Sequence, residues 1–124
     1  MTDDERRALI AAALVYAGGT HSVDDVLEAC YRGEWQMWEG QRSLVVTQLS
    51  VHPQGKEAFA FLAAGDLDEI AAMYPVLEAW ARESGCTKLA FRGRRGWART
   101  FLTKSEGWHE AAVIFEKELP DGGQ

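Results

Sequence analysis

The 124 residues, 47% hydrophobic and 26% charged, are expected to make one globular domain with little room for a second. No apolar run approaches the roughly 20 residues of a membrane span, and the acidic opening Met1–Arg7 is no signal peptide, so a cytoplasmic protein without membrane contact is expected. The net charge of -6 argues against general nucleic-acid binding, yet Ser84 to Ser105 carries Lys88, Arg92, Arg94, Arg95, Arg99, Lys104 and no acid, +6 against -12 in the rest.

In chain order, Thr2 and Glu5 form a T-x-x-E start ahead of Leu9, Ile10, Ala13, Leu14 and Ala17, a first helix ended by Gly18-Gly19. Ser22 and Asp25 repeat the device before Val23, Val26, Leu27, Cys30 and Tyr31, which predicts a second helix up to Gly33. Glu34–Glu39 and Ser43–Val51 read as strands joined by a hairpin at Gly40-Gln41. The turn His52–Lys56 leads to the unbroken apolar run Ala58–Ala64, a buried strand. Gly65 turns the chain, Asp66 caps, and Leu67, Ile70, Tyr74, Leu77 and Ala81 make one helical stripe over Asp66–Ser84, with Pro75 predicting a kink rather than two helices. Lys88–Phe91 is the next strand, so this stretch forms a βαβ crossover with parallel strands. A basic turn at 93–96, a short helix over Trp97–Lys104, a break at Gly107-Trp108, a last strand over Ala111–Leu119 and a tail at 120–124 complete the chain. The expected class is α+β: a mixed sheet of antiparallel strands followed by one parallel βαβ crossover, with helices on both faces. Its expected core, between the sheet and the Asp66–Ser84 helix, is Leu44, Val46, Phe59, Phe61, Leu67, Ile70, Leu77, Leu89, Val113 and Phe115.

Cys30 and Cys86 match no metal or redox spacing and are expected as free, partly buried thiols. His21, His52 and His109 are scattered without ligand spacing, so no metal site is expected. Glu39 and Glu57 are candidate general bases on strands; the plainer reading is a solvated strand-edge carboxylate. The strand-to-helix turn Ala63-Ala64-Gly65-Asp66-Leu67 stands where folds with such a crossover bind phosphate; the plainer reading is a capped helix with nothing bound. Arg92, Arg94, Arg95 and Arg99 suit bidentate pairing with carboxylate or phosphate, with Trp97 and Trp108 as stacking surfaces; the plainer reading is a solvated basic surface with packed tryptophans.

The element order, together with Gly18-Gly19-Thr20, Trp38, Gly65-Asp66-Leu67, Ala79–Arg82, Gly85-Cys86, Gly93-Arg94, Gly96-Trp97 and Gly107-Trp108, resembles the GNAT acetyltransferase superfamily over Ser22–Leu119. Within it, the pattern is most similar to small GNAT-like proteins of tailed bacteriophages and prophages, which implies a host cytoplasm as location. Active members hold the coenzyme A pyrophosphate in an Arg/Gln-x-x-Gly-x-Gly/Ala loop and carry a tyrosine shortly before a late Gly-aromatic pair. This chain has Ala63-Ala64-Gly65-Asp66 for the loop, with a carboxylate where the pyrophosphate would lie, and Leu102-Thr103 for the tyrosine. Two like charges a few ångströms apart in a half-buried site cost on the order of a few kcal/mol. The expectation is a GNAT-like domain that binds another macromolecule, a phage or host protein with an acidic surface, and needs no cofactor. The alternative is an acetyl-CoA-dependent N-acetyltransferase acting on a small amine or a protein amino group.

Overall fold

The structure, a computed structural model, describes residues 1–93 and 95–120, leaving aside the side chains of Arg95 and Ala98. Its elements are α1 (Asp3–Leu14), α2 (Val23–Tyr31), β1 (Gln36–Glu39), β2 (Ser43–His52), β3 (Gly55–Gly65), α3 (Leu67–Glu83), β4 (Cys86–Phe91), a 3-10 turn (Arg95–Arg99) and α4 (Phe101–Ser105). They fall into two units, Met1–Arg94 and Arg95–Gln124. The first holds the whole sheet, in the order β1-β2-β3-β4, with β1, β2 and β3 antiparallel and β3 parallel to β4 across the α3 crossover. This is the expected α+β mixed sheet.

Each long helix starts where side-chain chemistry satisfies its first free N–H groups. The Thr2 hydroxyl accepts from the Glu5 amide (3.1 Å), with Asp3, Asp4 and Glu5 placing negative charge at the positive end of α1. Ser22 and Asp25 form a reciprocal capping box on α2, and the Asp66 carboxylate accepts from the Glu69 amide (3.1 Å) on α3. Helix α3 runs unbroken through Pro75, so the expectation of one helix over two holds.

Strand alternation explains how the sheet is covered. Leu44 and Val46 of β2 point with Leu62 of β3 into a fully buried cluster with Ile10 of α1 and Val26 of α2. Ser43 and Val45 point the other way: the Ser43 hydroxyl meets Glu69 of α3, and Trp38, opposite Val45, sets its ring 5.2 Å from that of Trp80 on α3. Helices therefore lie on both faces, but the deepest packing is with α1 and α2, not α3.

Leu44, Val46 and Ile70 are buried as expected, and Phe59, Phe61, Leu77 and Leu89 are half-buried. Three core expectations are corrected. Leu67 is 42% exposed: it opens α3, and helical side chains tilt toward the N-terminus, where no preceding turn lies beneath it. Val113 and Phe115 are 56% and 93% exposed, because Ala111–Leu119 forms no strand. The second unit holds only the 3-10 turn and the five-residue α4 as regular structure among its described residues, so it supplies no strand to ladder with.

Candidate functional site

The site is built where β3 outruns β4. Along β2 the register slips: Val46 faces Leu62 but Thr47 faces Ala60, so Phe61 is an extra residue, a β-bulge on β3. Bulges bend the strand and re-aim a side chain. Here Phe61 joins Leu62 against the α1–α2 side rather than alternating to the opposite face. Pairing with β4 ends at the same point, at Ala60 opposite Phe91, while β3 continues to Gly65 on β2 alone. The two parallel strands thus part at Phe61, and along Phe61–Gly65 the partner of β3 is β2.

Aromatic rings gather around the bulge. The Phe61 ring lies 4.9 Å from both the His21 and Trp35 rings, and His21 lies 5.2 Å from Trp35, centroid to centroid. His21 sits in the α1–α2 connection, its Nδ1 2.7 Å from the Thr20 hydroxyl. The same connection carries Gly18 at φ +81°, a conformation side chains rarely adopt. A Cβ on Gly18 would lie 3.0 Å from both terminal nitrogens of Arg92, whose guanidinium follows β4 and rests against this glycine. Gly18, His21, Phe61 and Arg92 therefore meet at one end of the sheet.

Acids gather where β3 ends and α3 begins. Only Asp66 separates β3 from α3: Ala63 and Ala64 are strand residues opposite Val45 and Leu44, as the apolar run Ala58–Ala64 predicts, and not part of a phosphate-binding turn. Asp66 caps α3 and pairs with Arg42 (3.2 Å). Glu69 accepts from the Ser43 hydroxyl and from the Arg42 backbone N–H (2.9 Å). Above all the Ser43 bond, and then the Arg42 amide, hold the Glu69 carboxyl below its ordinary range. Gly40 and Gly65 make room for this arrangement. A Cβ on Gly40 would run into the Glu69 carboxylate, and one on Gly65 (φ +106°) into the Arg42 carbonyl oxygen and, at 2.6 Å, the Ser43 Cα.

Of the basic candidates, only Arg92 lies in the sheet unit among the described residues; it is half-buried, not a solvated surface arginine. Trp97, half-buried, and Arg99, exposed, lie on the 3-10 turn of the second unit, while Arg94 and the Arg95 side chain lie outside the described residues. Both proposed bases are held by cations: Glu57 by Lys88 (3.3 Å), along the paired part of β3, and Glu39 by Arg6. Cys30 and Cys86 are free thiols, and burial raises the Cys30 pKa. Among the described residues no three His, Cys, Asp or Glu side chains gather to hold a metal, and no helix is long and apolar enough to cross a membrane.

Sequence reasoning missed Arg42, Ser43 and the partners of Glu69, and it missed the bulge. Glu69 had a signal, the third position after the Asp66 cap, but such a glutamate is expected to reach its own helix start. Instead it crosses to the β1–β2 turn.

No protein-family model matches the chain, and no curated protein matches it in sequence. In fold it is similar to the crystal structure of a point mutant of TTHA1254 from Thermus thermophilus, with a TM-score of 0.62 and 14% identity over 98% of this chain and 95% of that one. At that identity the likeness concerns the fold alone.

Proposed function

We propose that this chain is a GNAT-like domain of phage or prophage type that works by binding another macromolecule rather than by acetyl transfer. The observation that carries this reading is the start of α3. In a GNAT enzyme, glycine amides there face the coenzyme pyrophosphate; in this chain Asp66, Asp68 and Glu69 crowd the first turn. The Glu69 amide is already taken by Asp66, and Arg42, the cation paired with Asp66 among the described residues, offsets only part of the negative charge. A pyrophosphate would have to displace bonded carboxylates and accept their repulsion. The residues present do not fit acetyl-CoA at that position.

The binding surface in this reading is the arginine run Arg92–Arg99, and the partner is a protein with an acidic surface, which the +6 stretch from Ser84 to Ser105 attracts at long range. Labelled polyglutamate serves as the probe. Its affinity, read by fluorescence anisotropy, should fall at least tenfold in Arg94→Glu/Arg95→Glu and weaken as salt rises. The melting temperature should stay within a few degrees, as the proposal assigns these arginines to binding rather than to folding. Loss of folding with binding retained would make these arginines structural and refute the surface.

One observation favours the second reading, an acetyl-CoA-dependent N-acetyltransferase: the parting of β3 and β4 at the Phe61 bulge leaves a strand edge along which an extended chain, such as a pantetheine arm, finds backbone partners. Release of free coenzyme A from acetyl-CoA in the presence of primary amines, followed with a thiol reagent, would establish it.

A further inference from the structure

We propose that Thr20 and His21, in the connection between α1 and α2, are a nucleophile and its base, and that they hydrolyse activated esters of small carboxylic acids through an acyl-threonine. This goes beyond the proposed function and does not depend on it.

The nucleophile is an exposed hydroxyl. Thr20 is open to solvent, and its Oγ1 lies 2.7 Å from His21 Nδ1. With the imidazole proton on Nε2, the hydroxyl donates to Nδ1, the contact through which a general base takes the proton as the oxygen attacks. A Cβ built on the preceding residue, Gly19, would meet nothing within 4 Å among the described residues, so an acyl group has room beside the hydroxyl.

The base is held from outside the connection. The His21 ring meets the Phe61 ring edge to face at 4.9 Å and lies 5.2 Å from that of Trp35, just before β1. Phe61 reaches it because the bulge turns that side chain toward α1 and α2. Two rings from separate parts of the sheet therefore orient the imidazole, the third role that an activated nucleophile requires. Asp25, on the first turn of α2, interacts electrostatically with His21. A carboxylate there favours the imidazolium that forms when the base takes its proton.

The chemistry balances in two steps. First, Thr20 Oγ1 bonds to the acyl carbon and its proton passes to His21 Nδ1. The bond from that carbon to the leaving oxygen breaks, and the leaving group takes the proton from His21. Next, water attacks the acyl carbon while His21 takes a proton from it and returns that proton to Thr20 Oγ1. One ester and one water give one carboxylic acid and one alcohol, with no other reactant.

The test uses p-nitrophenyl acetate and the full chain. Nitrophenol release should exceed the buffer rate, and peptide mass spectrometry of protein quenched in acid during turnover should find an acetyl group on Thr20. Thr20→Val and His21→Gln should each lower the rate by at least about tenfold. Thr20→Ser should keep the activity and carry the acetyl group at the same position. Hydrolysis no faster than buffer, a full rate in Thr20→Val or His21→Gln, or acetyl groups only on other residues would each overturn the proposal; the first of the two variants separates it from direct attack by an imidazole. Should a variant fail to fold by circular dichroism, the position of the acetyl group on the unsubstituted chain still decides.

Discussion

At the start of α3 a single carboxylate, Glu69, accepts from a side chain and a backbone amide of the β1–β2 turn, which ties a helix end to a strand start. Its pKa is lowered in the folded state, as is that of Asp25, which accepts mainly from the Ser22 backbone amide. A carboxyl with a depressed folded pKa contributes its stability above its unfolded value, about 4.3 for Glu and 3.9 for Asp, and loses it as pH falls through the folded value. The melting temperature should therefore fall on acidification below about pH 4.3. Glu69→Gln should melt lower at neutral pH and show a shallower decline below it, as read by circular dichroism; an unchanged slope would mean the carboxylate is solvated. Gly65→Ala tests the backbone beside it. With φ +106° and the Arg42 carbonyl in the way, a methyl group should cost at least about 2 kcal/mol in urea unfolding.

Among the elements, α1 carries more of the fold than its short, weakly amphipathic sequence suggests. Ile10 is wholly buried against Val26, Leu44, Val46 and Leu62, so Ile10→Ala should destabilise by about 2–5 kcal/mol. Leu67→Ala, on the exposed first turn of α3, should change stability by less than about 1 kcal/mol. Equal losses in the two variants would put the main core back under α3. The elements up to β4 were legible because each begins or ends on a chemical signal: Thr2, Ser22 and Asp66 as caps, Gly40 and Gly55 at the strand turns, an unbroken apolar run in β3. Which face of the sheet held the core was not legible. Both faces of β2 are apolar through Leu44, Val45 and Val46, and only pairing in space shows that Ile10 and Val26 meet the even-numbered residues. The last strand failed for a related reason. Alternation in Val113–Leu119 states what a segment would bury if paired, not whether its partner exists in the same unit.

At the scale of the molecule the charge separation and the sheet geometry point to different uses of one fold. The stretch Ser84–Ser105 is +6 and the remainder -12, the charge difference on which the proposed acidic partner rests. At the Phe61 bulge β3 parts from β4, while the acids of α3 gather where β3 ends. The bulge was invisible in sequence, since Phe61 looks like any member of the run Ala58–Ala64. The acids were visible, because a cap and the third residue after it stand at fixed spacing in the chain. Isothermal titration of the full chain with acetyl-CoA addresses that balance directly. No heat of binding at millimolar coenzyme is the predicted result; micromolar binding accompanied by acetyl transfer to an amine would contradict the account.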